Sequence, residues 1–258
     1  MRNSIAIAMV VIAEMYRRKD FYVLFVLTAV ITGLMGSVTF FNDANIARYL
    51  KEICLFLIWI SSLFIAIGTM ARQLPAERES RTIFPLMAKP VSRAQVLIGK
   101  FLGCWLASGA ALLVFYLFFG LVAATREHHW SVGNYFQALS LHWAMLAVVI
   151  ALTLLGSLLL SAPSSNITIT TISCVFILLV GRHLNKVAIH TGGVAETALY
   201  SIYYVIPHLE IFNVRDLIIH DWPLIHWSVW GVAVGYAAGY SAMLLLASWL
   251  VFRRKAFQ

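Results

Sequence analysis

Six long apolar runs separated by shorter charged ones set the layout of this chain. They fall near 21–41, 53–70, 96–125, 139–162, 167–182 and 227–252. A membrane-spanning helix needs about 20 apolar residues, with roughly 17–25 tolerated, so each run reads as a crossing. The third is long and is expected to tilt or to extend past the bilayer. The fifth is the shortest. An earlier apolar stretch, 5–13, is too brief to cross, and it is followed directly by Glu14, Arg17, Arg18, Lys19 and Asp20 with no cleavage site. That argues against a secretory signal, and residues 1–20 are expected to form an interfacial helix leading into the first span. The stretch 194–207 is apolar and aromatic but short, and it holds Glu196. It is expected to be a re-entrant or interfacial element of the outer loop 185–226. The fold class is therefore all-α integral membrane: six transmembrane helices in one domain over 1–258.

Composition agrees with this pattern. The chain is 61 % hydrophobic and 12 % charged, with a mean hydropathy of +0.85. Soluble domains run nearer half apolar and a quarter charged. The net charge of +8 sets orientation in such a chain and does not point to nucleic acid. With the N-terminus cytoplasmic, the inner segments hold Arg2, Arg17, Arg18 and Lys19, then Arg72, Arg78, Arg81, Lys89, Arg93 and Lys100, then Arg253, Arg254 and Lys255, thirteen of the 19 basic residues. The outer segments hold Arg48, Lys51, Arg126, Arg182, Lys186 and Arg215. The expected location is a bacterial inner membrane, crossed several times, with both termini cytoplasmic. Trp130, Trp143, Trp222, Trp227 and Trp230 near the outer boundary and Trp249 near the inner one fit an aromatic belt. Cys54, Cys104 and Cys174 lie in apolar runs and read as small packing residues.

No Asp, Glu, Lys or Arg falls in the middle of a span. Lys100 lies near a cytoplasmic end, where it is expected to snorkel. Ion-driven carriers usually keep a buried ionisable group, and membrane hydrolases keep buried acids, bases or nucleophiles. Neither class fits, whereas a transporter powered from outside the membrane does. The sequence has no GxxxxGK[ST], HExxH, GxSxG or EF-hand pattern. The chain is expected not to be an enzyme and to hold no cofactor of its own.

The charged segment 77–100 lies between the second and third spans. Ile83, Phe84, Leu86 and Met87 form an apolar stripe at helical spacing. Glu77 and Glu79 precede it, as acids do at a helix N-terminus. Pro85 sits in the first turn or kinks the helix, and Pro90 ends it. Ser92 and Gln95 then match a capping box ahead of Val96, Leu97 and Ile98. The pattern predicts a short surface helix over 77–88, within a coupling loop at 73–95, followed by a capped third span.

This run resembles the coupling segment of type-2 ABC transporter permeases. The matching residues are Glu77, Thr82, Leu86, Lys89-Pro90-Val91-Ser92-Arg93 and Gly99-Lys100-Phe101-Leu102-Gly103. The later Ile206-Pro207-His208-Leu209-Glu210-Ile211-Phe212-Asn213 is similar to another stretch of the family. The permease subunit of the nitrous-oxide reductase maturation transporter and gliding-motility permeases are the nearest relatives this suggests. Where the family often has Gly before Thr82, this chain has Ser80-Arg81. The resemblance implies a permease homodimer joined by two separate ATPase subunits, which bind the ATP and Mg. It implies that Glu77, Arg78, Glu79, Arg81, Thr82, Phe84, Leu86, Pro90 and Arg93 serve ATPase coupling. It also implies an outer loop that shapes a gate, and it is compatible with a periplasmic partner. Export and mechanical signalling across the membrane both fit.

Other patterns are weaker. Gly231, Gly235 and Gly239 recur every four residues on one face of the last span, where they let another helix approach, inside the subunit or across a dimer seam. Gly99, Gly103 and Ala107 make a similar stripe on the third. All eight histidines are expected in outer segments or at the outer boundary. His128 and His129 are the weak metal candidates, and they carry the alternative reading: a partner-independent protein handling metal or haem on its outer face. Ser61, Ser62, Thr69 and Ser108 are expected to bond back to their own helices.

Overall fold

A computed structural model describes residues 2–17, 22, 26, 29–30, 33, 44–79, 91–127, 131–160, 162–191 and 193–254. The elements are α1 (Arg2–Arg17), α2 (Ala44–Glu79), α3 (Arg93–Glu127), α4 (Val132–Leu159), α5 (Pro163–Thr191), α6 (Gly193–Val205), a single 3-10 turn (Leu209–Phe212), α7 (Asp216–Ile219) and α8 (Trp227–Arg254). No strand occurs among the described residues. Five helical segments are long and apolar enough to cross a membrane: Lys51–Glu77, Arg93–Ala124, Val132–Leu159, Pro163–Val180 and Trp227–Arg254. They correspond to the second to sixth expected spans. The first, 21–41, lies largely outside the described residues. This is an all-α, multi-pass membrane protein.

The helices are longer than the apolar runs that nucleate them. At 1.5 Å per residue, the 35 residues of α3 extend about 52 Å, well beyond a hydrocarbon core of about 30 Å. The expectation that this helix outruns the bilayer holds. Helix α2 continues through Pro75 to Glu79. Glu77 and Glu79 therefore belong to the last turn of α2 and do not open a separate helix. Pro75 removes one ladder donor, but Ala76 to Glu79 are good helix formers and Glu77 is fixed from α3. The remainder of the expected surface helix, 80–88, lies outside the described residues.

The bundle is built around α4, whose apolar window is 72 % buried, against 22 % for α5 and 17 % for α8. Helices α2, α3 and α8 pack on α4, and α5 packs on α2, α4 and α6. Trp105 and Trp143 lock α3 to α4: their rings stack at 4.6 Å, and each indole N–H donates to the other's carbonyl at 3.0 Å. Trp143 therefore packs between helices rather than serving only as a belt residue.

Helix α1 packs along the first half of α3. Its buried residues Ser4, Ala8, Val11 and Met15 repeat at helical spacing and form one face. The contact is close because α3 presents Gly99 and Gly103. A Cβ on Gly103 would lie 2.7 Å from Val11 Cβ and 2.9 Å from the Ala8 carbonyl oxygen. The stripe read as the weaker one is thus where two helices meet. Ile5, Met9, Val10 and Tyr16 on α1 stay exposed. Replacing Gly103 with Leu should displace α1 and destabilise the protein by about 1–3 kcal/mol. Thermal unfolding in detergent would register this as a lowered midpoint, with new protease sensitivity within 2–17.

For the glycines of α8 the sequence left two places open, inside the subunit or at a dimer seam. A Cβ on Gly231, Gly235 or Gly239 would meet nothing within 4 Å among the described residues. The buried positions of α8 are Ala233, Ala237, Ser241, Ser248 and Phe252. These face the bundle and leave the glycine edge outward.

Candidate functional site

The two helices that flank the charged segment are tied together by a buried polar chain. Lys100 on α3 is 1 % exposed. Its Nζ donates to Glu77 Oε1 at 2.7 Å and to Gln73 Oε1 at 3.2 Å, both on α2. Gln73 Nε2 in turn donates to Glu14 Oε2 on α1 at 3.2 Å. Lys100 therefore does not snorkel. Its amine turns inward, because α2 offers it a carboxylate and an amide one turn apart. A buried amine is stable only when paired and hydrogen-bonded, and both conditions are met. Four side chains thus join three helices at the end of the bundle where the charged segment emerges.

The far end of that segment is fixed as well. Ser92 N donates to Gln95 Oε1 at 3.0 Å, and Gln95 N donates to Ser92 Oγ at 3.2 Å. This is the reciprocal capping box read from the sequence. One residue into the helix, Arg93 Nη1 donates to the carbonyls of Phe252 at 2.6 Å and Arg253 at 3.1 Å, and its guanidinium sits 5.5 Å from the Phe252 ring centre. Carbonyls in the last turn of a helix lack internal donors, so a cation there is well placed. Of the residues expected to serve coupling, the structure places Glu77 and Arg93 in these anchors. Arg78 and Glu79 lie in the last turn of α2, with side chains outside the described set. Arg81, Thr82, Phe84, Leu86 and Pro90 also lie outside it. Glu14, Gln73 and Lys100 completing the anchor were not read as site residues. Their only signal was polarity at or near the ends of apolar runs: Glu14 after 5–13, Gln73 after 53–70 and Lys100 early in 96–125.

At the opposite end the loop 206–226 folds back over the bundle. Asn134 Nδ2 donates to the carbonyls of Leu217 at 2.9 Å and Trp222 at 3.0 Å. Gln137 donates to Ile225 O at 2.8 Å and accepts from Ile225 N at 2.9 Å. Lys51 donates to Ile218 O at 3.3 Å and lies 3.7 Å from the carboxylate of Asp221. Tyr236 accepts from the His208 backbone N–H at 2.9 Å. Side chains from the early turns of α2 and α4, with Tyr236 of α8, thus supply backbone partners that a strand or helix would otherwise give this loop.

Below the loop lies a polar core. His142 is 3 % exposed, with Nε2 2.8 Å from Ser62 Oγ and Nδ1 3.4 Å from Tyr116 OH. Ser62 Oγ also lies 2.8 Å from Trp59 O. All donors are satisfied if the imidazole N–H sits on Nε2, Ser62 donates to Trp59 O and Tyr116 donates to Nδ1. His142 is therefore a buried residue that links α2, α3 and α4. Ser62 bonds back to its own helix as expected, and to α4 as well.

A cavity of about 530 Å³ lies between α2 and α5 beneath the 3-10 turn, lined by Phe56, Trp59, Leu63, Phe64, Thr171, Leu178, Glu210 and Arg215 among others. The Arg215 guanidinium lies 5.5 Å from the Phe56 ring centre and 5.8 Å from that of Trp59. Burial pulls the Arg215 pKa below its ordinary value, and Tyr116, Asp216 and Glu52 pull it back; arginine remains charged at any physiological pH. No group of three or more His, Cys, Asp or Glu side chains converges among the described residues. His128 and His129 lie outside them. Cys54, Cys104 and Cys174 are free thiols, all buried, as expected of packing residues.

The geometry is that of a multi-pass helical bundle with anchored ends on its charged loop and a clamped outer loop. The family model described as ABC-2 family transporter protein matches residues 5–256, and the chain belongs to that family. It is a permease subunit of an ABC transporter. No curated protein matches the chain.

Proposed function

We propose that the chain couples ATP hydrolysis by a separate ATPase subunit to movement of its own helices, with segment 77–93 as the input. The observation that carries this reading is the bracing of both ends of that segment. Its start is held by Glu77 to Lys100 on α3, and its end by Arg93 to the last turn of α8. A push on the loop would reach α2, α3 and α8 as one unit, and α1 through Gln73 and Glu14. The ATPase supplies the sites for ATP and Mg. Arg78, Glu79, Arg81, Thr82, Phe84 and Leu86 are the docking residues in this account.

Two copies of the chain with two ATPases make the working unit. The outward glycine edge of α8 supports this, since small residues let helices approach closely where no hydrophobic drive brings them together. The charge distribution supports an inner-membrane location with both termini and segment 77–93 in the cytoplasm. The motion is used for substrate export or is passed to an outer partner. The resemblance of segment 77–103 to the nitrous-oxide reductase maturation permease is compatible with both uses.

Affinity purification from native membranes should recover an ATPase chain in equal amount. Charge reversal at Glu79 or Arg81 should leave membrane insertion intact while uncoupling hydrolysis from transport. A purified permease without any ATPase, or full coupling in both variants, would contradict the assignment.

A further inference from the structure

A second cavity, of about 630 Å³, lies between α3 and α8 with α4 as its floor. Leu106 and Leu113 on α3, Ser140 and Trp143 on α4, and Trp230 and Val234 on α8 form its walls. At the charged-segment end, Arg93 ties α3 to the last turn of α8. Toward the outer loop the cavity separates the same two helices. The gap has a local cause. Trp105 and Trp143 stack between α3 and α4, and a Cβ on Gly109 would run into the Trp143 indole. Gly109 and its neighbour Ala110 carry no side chain that could reach across to α8.

Every side-chain donor in these walls is already used. The Trp105 and Trp143 indoles donate to each other's carbonyl. Trp230 Nε1 donates to Ser140 Oγ at 2.9 Å, and Ser140 Oγ donates to Gln137 O at 3.1 Å. An occupant therefore meets aliphatic and aromatic surface with no open polar group, and such a space takes hydrocarbon rather than water. Leu106, Leu113 and Phe136 are 43 %, 46 % and 52 % exposed, so the cavity is a groove open along one side. Its lining lies wholly within the stretches of α3, α4 and α8 that are long and apolar enough to cross a membrane. The open side thus faces the bilayer.

We infer that this groove binds one acyl chain of a membrane phospholipid, entering from the leaflet on the outer-loop side. The outer end of the groove suits an amphiphile. Phe136 lies 6.3 Å from the Trp227 ring and 6.4 Å from that of Trp230. Exposed His226 precedes Trp227, with Nδ1 2.8 Å from Ser228 Oγ. Tryptophans favour the boundary between hydrocarbon and headgroups, so a chain lying in the groove brings its headgroup to this polar end. A wholly apolar solute would leave that end unused. The chain acts as a wedge, restoring to the walls of α3 and α8 the dispersion contacts that a void forfeits.

Photo-labelling tests this. The full-length protein, purified with any bound subunit, is returned to phosphatidylcholine vesicles containing a phosphatidylcholine with a diazirine in mid-chain, and labelled residues are mapped by mass spectrometry. No nucleotide is needed, so the outcome is independent of the coupling assignment. Leu113 should label at least about fivefold more than Val114, its neighbour at the same depth, 44 % exposed but outside the groove. Ala110→Trp, which fills the groove, should bring Leu113 down to the level of Val114. Val234→Trp should do the same from the opposite wall, so that a folding failure in one variant leaves the other. Equal labelling of Leu113 and Val114, or an unchanged ratio in the folded Trp variants, would overturn the proposal. So would an unlabelled Leu113 in a groove occupied by a second copy of the chain.

Discussion

Replacing Lys100 with Met is expected to cost about 3 kcal/mol of stability, because it strands Glu77 without its counter-charge and Gln73 without its donor. Glu77 keeps 27 % of its side chain exposed, so water recovers part of the loss, and the figure lies at the low end for a broken buried pair. Glu77→Leu alone is expected to be equally harmful, since it leaves the ammonium buried among α2 and α3. The double variant Lys100→Met/Glu77→Leu should recover most of the stability, because apolar replacement of both partners is often neutral. Unfolding midpoints of the four proteins in detergent form a double-mutant cycle. A coupling energy near zero would show that the pair does not hold α2 to α3. In the proposed mechanism the double variant, though stable, transmits less of the loop's movement. Its ATPase activity in the assembled transporter should respond weakly to substrate or outer partner.

Gln137→Leu is expected to release the outer loop. Gln137 is fully buried and makes both backbone hydrogen bonds of Ile225. Leucine fills the same space but leaves one donor and one acceptor without partners. Ile225 is only partly buried, so the expected cost is about 2 kcal/mol, within the range for orphaned backbone groups. The effect should be local. Amide exchange across 217–226 should accelerate, while the α4 core around Val148–Ile150 stays protected. Unchanged exchange in the loop would show that Asn134 and Lys51 hold it without Gln137.

The sequence revealed what depends on local order. Apolar run length located the spans that α2 to α5 and α8 contain, because a bilayer sets the length of each crossing. Ser92 and Gln95 could be read as a capping box because both hydrogen bonds close within one turn. The anchors were not legible in the same way. Glu77 and Lys100 are 23 positions apart, and only the pairing of α2 with α3 brings them together. Lys100 looked like a snorkelling residue because its partner lies on another helix. Asn134 and Gln137 lie just ahead of the fourth apolar run, and nothing near them in sequence announces the loop they hold. The neighbours of the glycine stripes were not legible for a related reason. Spacing every four residues marks a smooth helix face but not its neighbour, so Gly99 and Gly103 meet α1 while Gly231, Gly235 and Gly239 face outward. His142 could be placed along the chain by its nearness to the start of α4, but its partners Ser62 and Tyr116 lie on other helices.

The input role of segment 77–93 is the claim on which the rest depends, and site-specific photo-crosslinking tests it most directly. A photoreactive residue at Phe84 or Arg81, in the transporter assembled in native membranes, should crosslink to the ATPase subunit in a nucleotide-dependent manner. The same probe at Leu224, in the clamped loop at the other end, should give no ATPase product. Crosslinks to the ATPase from Leu224, or none from either Phe84 or Arg81, would contradict the account.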